Sequence, residues 1–390
     1  MKKQTKAIHT HFQLRDAYNA LSMPVYHTAA YEFENATEMA DTFCWRKYMP
    51  DYSRVMNPTV MFLEDKVKEL TGAKDVIAFS SGMAAISNTL ICIAQAGRNI
   101  VSSRHLFGNS YSLITSTLKR FGVTPKLCDL TDTKAVEQLV DENTCCIFLE
   151  IITNPQMEVA DLRALSKIAK AKGIPLIADT TLIPFTQFDG RALGIDIEVV
   201  SSTKYLSGGA TSIGGLTIDY GNCDGFGTRM RREILLNLGA YMTPHVAYMH
   251  TIGLETLDAR YRLQSANALN LAQRLSKQKA VKHVNYIGLP DNPYHQLARS
   301  QFGDTAGAMI TIDLADKEAC FRFINRLKLI RRATNLFDNK TLAIHPASTI
   351  FGPFTDEERR SMDVHDTTIR LSIGLEDVDD IFDDIIQALE

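Results

Sequence analysis

The chain holds no apolar run approaching the roughly 18–20 residues that span a bilayer. Its basic start, Met1-Lys2-Lys3-Gln4-Thr5-Lys6, leads into a polar stretch with His9 and His11 where a signal peptide would carry its apolar region. The net charge is only −3, so there is no electrostatic reason to expect nucleic acid or an anionic membrane surface as partner. Seven cysteines, an odd count scattered from Cys44 to Cys320, make no disulfide framework. Cys145-Cys146 are adjacent and lack the spacing of a paired zinc pattern, and His9 and His11 read as arm residues, so no metal is expected. There is no G-x-x-x-x-G-K-[ST], and no G-x-G-x-x-G after a strand with a distant acid. Internal repeats and low-complexity segments are missing too. Taken together, these absences point to a cytoplasmic protein.

What is present is an ordinary globular composition on a long chain. The 390 residues are 45% apolar and 22% charged, and they exceed what one ordinary core accommodates. From about residue 60 the pattern alternates strand and helix, the mark of a largely parallel sheet covered on both faces. Strands are predicted at Val76–Phe79, Asn99–Ser103, Lys126–Asp129, Cys145–Glu150, Ile174–Asp179 and within the apolar run from Ile195 to Val200. Helices are predicted at Met83–Gln95, Tyr111–Phe121 and Leu162–Lys172. Beyond about 245 the texture changes to long helical stretches such as Leu254–Leu275, then to a smaller α/β unit with strands at Ala308–Leu314 and Arg370–Ile373. The expected division is an arm over 1–55 that packs on a neighbouring subunit, a large domain over 56–245 and a C-terminal domain over 246–390.

The strand ends carry the chemistry, because ligands of doubly wound sheets bind beyond the carboxyl ends of the strands. One strand runs into Ser81-Gly82-Met83 at the head of a helix, whose free N–H groups suit a phosphate. Another ends in Asp179, followed by Thr180 and Thr181, and a carboxylate there needs a cation. A third leads through Ser201, Ser202 and Thr203 to Lys204, which opens into a glycine-rich stretch. Taken singly, each has an ordinary structural reading: a capped turn, an ion pair, a surface lysine. Together they fit one ligand. Pyridoxal phosphate has an anionic phosphate, a ring nitrogen held protonated by an acid, and an aldehyde that condenses with a lysine amine.

The residues carrying this pattern resemble the Cys/Met-metabolism, cystathionine γ-synthase-like family of fold-type I pyridoxal-phosphate enzymes, and the likeness runs nearly end to end. Asp51-Tyr52-Ser53-Arg54 resembles the segment whose tyrosine and arginine reach the phosphate of the adjacent subunit. The resemblance implies that Ser81, Gly82, Met83, Thr181, Ser201 and Thr203 hold the cofactor, with Asp179 on its ring nitrogen and Lys204 as Schiff-base former. It implies Asn154 beside the ring and the substrate carboxylate, Arg370 clamping that carboxylate, and Ser348 next to it. It also implies a seven-stranded, mostly parallel sheet in an α/β fold with a smaller C-terminal α/β domain, and a homotetramer built from active dimers.

Thr211-Ser212-Ile213-Gly214-Gly215 and Asn335-Leu336-Phe337-Asp338-Asn339-Lys340-Thr341-Leu342 resemble the O-acetylhomoserine sulfhydrylase branch. The expected reaction is γ-replacement on an activated homoserine ester by sulfide or a small thiol. A γ-lyase or a cystathionine γ-synthase is the alternative, and a non-catalytic pyridoxal-phosphate-binding paralogue stands behind both. Leu106-Phe107-Gly108-Asn109 departs from the family, since Phe107 replaces the tyrosine that usually stacks on the cofactor. A phenyl ring stacks but cannot move a proton, which gives Lys204 more of the acid–base work. Thr180 also stands where asparagine is usual, and Ile350-Phe351 where Thr-His is usual.

Overall fold

Short runs buried on both faces build the central layer. The computed structural model describes residues 1–10, 12 and 16–390, so His11 lies outside the described residues. Seven strands form the larger sheet: β1 (Asp75–Phe79), β2 (Asn99–Ser103), β3 (Thr124–Cys128), β4 (Thr144–Glu150), β5 (Leu176–Asp179), β6 (Ile197–Val200) and β7 (Gly215–Asp219). Their order is β1-β7-β6-β5-β4-β2-β3, and only β7 runs against the rest. Both faces are buried. Ile147 and Leu149 of β4 belong to the core on one side, and Cys146 and Phe148 to the core on the other. That accounts for the nearly unbroken apolar runs.

A second sheet of five strands follows: β8 (His283–Asn285), β9 (Met309–Asp313), β10 (Arg331–Arg332), β11 (Leu342–Ile344) and β12 (Thr368–Ser372), in the order β10-β11-β12-β9-β8. The α/β architecture with a mostly parallel seven-stranded sheet is therefore as expected. No helix of the described residues is long and apolar enough to cross a membrane, and no group of three or more metal-type ligands occurs among them.

Two helices differ from expectation for local reasons. The segment expected as one helix over Tyr111–Phe121 is a short α-turn (Gly108–Ser112), a π-turn (Leu113–Thr117) and a 3-10 turn (Leu118–Phe121). Its hydroxyls compete for backbone carbonyls, as where Thr115 Oγ1 donates to Tyr111 O at 2.8 Å. The long helix expected over Leu254–Leu275 is instead two, Pro244–Glu255 and Leu257–Leu275. The Arg260 guanidinium donates to Gly253 O at 2.6 Å and thereby satisfies a carbonyl at the break. Strand β7, absent from the sequence reading, starts inside the glycine-rich stretch after Lys204.

The opening segment is tied to its own chain. The helix Lys3–Ile8 is held by Lys66 Nζ donating to Ala7 O at 2.6 Å and by Gln4 Nε2 donating to Glu255 O at 2.9 Å. Farther along, Tyr18, Leu21, Phe43, Tyr48 and Tyr52 are exposed.

Candidate active site

The parallel strands bring their carboxyl ends to one edge of the sheet, and the expected residues follow directly from those ends. Strand β1 leads to Ser81, which caps the helix Gly82–Ile93 by accepting from Ala84 N at 3.0 Å. Strand β7 runs the other way, so its first residue, Gly215, pairs with Phe79 at this same edge. The packing is close. A Cβ on Gly82 would lie 2.6 Å from Ser201 Cβ and 2.8 Å from its Oγ, and one on Gly215 would lie 2.2 Å from Ser81 O. Only glycines let the helix start approach Ser201 this way, which leaves the Gly82 and Met83 N–H groups at the head of the helix.

Lys204 follows β6 and precedes the 3-10 turn Tyr205–Ser207. Its Nζ donates to Asn335 Oδ1 at 2.7 Å. Burial lowers its pKa to about 8; the Arg370 guanidinium adds to this effect and Asp179 opposes it. Below the lysine, the Tyr205 ring stacks on Phe337 at 4.0 Å between centroids.

Asp179 ends β5, and its Oδ1 accepts from Thr181 N at 2.9 Å. Burial raises its pKa, against the Thr181 hydrogen bonds and the charge of Lys204. In register beside it on β4 is Glu150, 5% exposed. Glu150 Oε1 accepts from Phe107 N at 2.6 Å, and Oε2 is buried with no partner. Burial, and after it the neighbouring Asp179, holds Glu150 well above the carboxylate range.

Arg370 on β12 is 2% exposed. Its Nη1 donates to Asn154 Oδ1 at 3.2 Å, and its Nη2 to Thr334 O at 3.0 Å and Asn335 O at 3.3 Å. All three acceptors are neutral, and burial lowers its pKa to about 9. Lys204, Asn335, Arg370 and Asn154 are thus linked by consecutive hydrogen bonds.

Other expected residues are placed differently. Thr203 Oγ1 donates to Gly214 O at 3.1 Å and accepts from Gly214 N at 3.0 Å, so its hydroxyl is engaged within the chain. Thr181 Oγ1 accepts from Ser201 N at 2.9 Å. The Ser348 hydroxyl pairs with His345 Nδ1 at 2.8 Å, and no hydrogen bond among the described residues joins it to Arg370. Arg54 Nη1 donates to Leu236 O at 2.5 Å, its guanidinium lies 5.4 Å from the Tyr52 ring centre, and no hydrogen bond among the described residues joins either residue to Lys204, Asn335 or Arg370. Asn335 and Glu150 were not singled out from sequence as site residues. For Glu150 there was a signal, since two parallel strands each ended in an acid.

These residues fit pyridoxal phosphate on their own chemistry. The glycine-lined helix start suits its phosphate, and Asp179 is a half-buried carboxylate held by Thr181. Lys204 carries an amine that desolvation brings toward neutrality, and Arg370 is a buried cation facing only neutral oxygens.

Comparison with known proteins agrees. L-methionine γ-lyase of Fusobacterium nucleatum is 36% identical over 100% of this chain and 99% of that protein. O-acetyl-L-homoserine sulfhydrylase 1 of Thermus thermophilus is 34% identical over 100% of both. A crystal structure described as an O-acetylhomoserine (thiol)-lyase from Campylobacter jejuni superposes with a TM-score of 0.96 at 33% identity, covering 100% of each chain. That structure contains N'-pyridoxyl-lysine-5'-monophosphate. The profile of the family described as Cys/Met metabolism PLP-dependent enzyme matches residues 4–390, and the chain belongs to that pyridoxal-phosphate-dependent family.

Proposed function

We propose that the protein is an O-acetylhomoserine sulfhydrylase-like transferase, replacing the γ-acyloxy group of an activated homoserine ester with sulfide or a small thiol. The observation that carries this reading is the segment Asn335–Leu342. It is the run whose sequence resembles the sulfhydrylase branch, and it sets Asn335 Oδ1 against the Lys204 amine. γ-Elimination from methionine or cystathionine is the second reading, favoured by the γ-lyase relative that is 36% identical over the whole chain. Incubation with O-acetylhomoserine and sulfide tests the first by homocysteine formation. Incubation with methionine alone tests the second by thiol release.

On this reading the residues take the following roles. Arg370, braced by Asn154 and the Thr334 and Asn335 carbonyls, takes the substrate α-carboxylate in a bidentate pair. Lys204 would hold the cofactor through its amine, and the freed amine is the base for the substrate Cα proton. A pKa lowered to about 8 leaves a usable neutral fraction near neutral pH. Asp179, whose carboxylate is fixed by the Thr181 N–H, would hold the ring nitrogen, and Phe107 would stack on the ring. Ser81, Gly82, Met83 and Ser201 would cradle the phosphate. When bound, pyridoxal phosphate supplies the electron sink for charge developing at Cα. With a phenyl ring at 107, Lys204 is also the group that returns the proton during γ-exchange. Ser348, in the turn that follows β11 beside β12, would stand next to the substrate carboxylate.

We place Tyr52 and Arg54 at the phosphate of a neighbouring copy. In support, neither is bonded to the Lys204 group in its own chain, and Tyr52 is 43% exposed. The working unit is accordingly a dimer, two of which form the homotetramer, with the arm over 1–55, the cofactor domain over 56–245 and the C-terminal domain over 246–390. A cytoplasmic setting suits the seven free cysteines.

A further inference from the structure

Away from Lys204, one imidazole is held between two acids. His105 Nδ1 lies 2.5 Å from Glu158 Oε2, and its Nε2 lies 3.0 Å from Asp363 Oδ2. The His105 side chain is 11% exposed, Glu158 23% and Asp363 62%. The three come from three segments, each leading to a site residue. His105 joins β2 to Phe107 and is fixed by its N–H donating to Ser103 Oγ at 2.9 Å. Glu158 follows Asn154 in a tight loop, its N–H donating to Thr153 Oγ1 and its carbonyl accepting from Thr153 N, both at 3.0 Å. Asp363 stands in the turn between the helix Asp356–Ser361 and β12, which carries Arg370. A second tie reinforces this junction, with Gln156 Nε2 donating to Met362 O at 2.5 Å.

A neutral imidazole carries one N–H, while an ionised carboxylate offers only acceptors. Both contacts are therefore satisfied together only by the imidazolium. Burial opposes that charge, and Glu158 and Asp363 outweigh it, so His105 titrates above the ordinary histidine value. Other elements contribute little directly to His105. Glu158 also faces the Tyr294 phenol, and Arg360 meets Asp363 only through its backbone carbonyl.

We propose that His105 is a positioning residue: as an imidazolium it clips the C-terminal turn at Asp363 onto the two large-domain segments that carry Phe107 and Asn154, so that closure around the substrate loosens as pH rises. The sign follows from the proton. Below its titration His105 donates to both acids; above it, one nitrogen presents a lone pair to a carboxylate. The contact given up is the one to Asp363, which is mostly exposed and readily rehydrated. This inference holds for replacement and elimination alike.

Backbone hydrogen exchange of the holoenzyme, read by mass spectrometry over residues 352–367 and corrected for intrinsic pH dependence, tests it. Wild type is expected to lose protection by about threefold between about pH 6 and about pH 9, the scale of a partly exposed ion pair. His105→Gln is expected to show the high-pH rate at both values, with KM for the amino-acid substrate raised about threefold and kcat within about twofold. Equal corrected exchange in wild type and His105→Gln at the lower pH would overturn the proposal. If His105→Gln does not fold, Asp363→Asn, altered at an exposed side chain, replaces it. Loss of the pH step in that variant supports the clip, and retention of the full step overturns it.

Discussion

Asn335 Oδ1 accepts from the amine of Lys204 at 2.7 Å, while the Asn335 carbonyl accepts from Arg370 Nη2 at 3.3 Å. One residue of the smaller sheet's neighbourhood therefore contacts both Lys204 and Arg370. Its side chain favours the ammonium form of Lys204, because the amide oxygen accepts from N–H. In the cofactor-free protein, modification of Lys204 by an amine reagent should show a midpoint near the lowered value of about 8. Asn335→Ala should move that midpoint further down, and an upward move would show that the amide oxygen does not hold the ammonium.

The paired acids set a second expectation. Glu150 is held well above the carboxylate range, first by burial and then by Asp179. A carboxyl raised in the folded state contributes stability below its unfolded pKa of about 4.3 and loses it as pH climbs through the folded value. Glu150→Gln removes that cost while keeping an oxygen for Phe107 N–H. The cofactor-free variant should therefore unfold at a higher temperature than wild type near pH 8 and lose most of this advantage near pH 4. Thermal unfolding at both pH values checks the sign.

Gly82 tests the proposed phosphate cradle. A Cβ there would stand 2.6 Å from Ser201 Cβ, inside any allowed contact, so helix start and strand end must separate. Gly82→Ala should weaken pyridoxal phosphate binding by about tenfold or more, about 1.4 kcal/mol. Titrating the cofactor-free protein with pyridoxal phosphate measures this directly. Gly72, whose Cβ would meet nothing within 4 Å, offers the control surface glycine, although its φ of +68° makes alanine there mildly strained.

Arg370 is buried against neutral oxygens and makes no ion pair among the described residues. Arg370→Lys loses the planar fork that grips a carboxylate at two points. Its KM for the amino acid should rise about hundredfold, equivalent to about 2.7 kcal/mol, with a smaller fall in kcat. Steady-state kinetics with the ester as varied substrate separates the two effects.

Much of the architecture was legible because strands buried on both faces announce themselves as short apolar runs, as at Cys145–Glu150 and Ile195–Val200. Strand β7 was not, since it begins with Gly215, and glycine there reads as flexible until Ser81 is seen pressed against it. The break at Thr256 was hidden for a similar reason: Arg260, from the following turn, satisfies the Gly253 carbonyl. In the site, Lys204, Asp179 and Gly82 could be read because each ends or follows a strand. Asn335 lies in a loop with no such landmark, and only the fold brings it to Lys204. Thr203 shows the converse, a hydroxyl in the expected motif that is occupied by Gly214 within the chain.

The central claim is γ-replacement through Lys204, and product analysis of the holoenzyme tests it most directly. With O-acetylhomoserine and sulfide, wild type should form homocysteine, and Lys204→Ala should lose at least about a thousandfold in rate. Methionine supplied alone should yield little thiol. Rapid thiol release from methionine with no homocysteine from the ester and sulfide would contradict the account and leave elimination as the reaction.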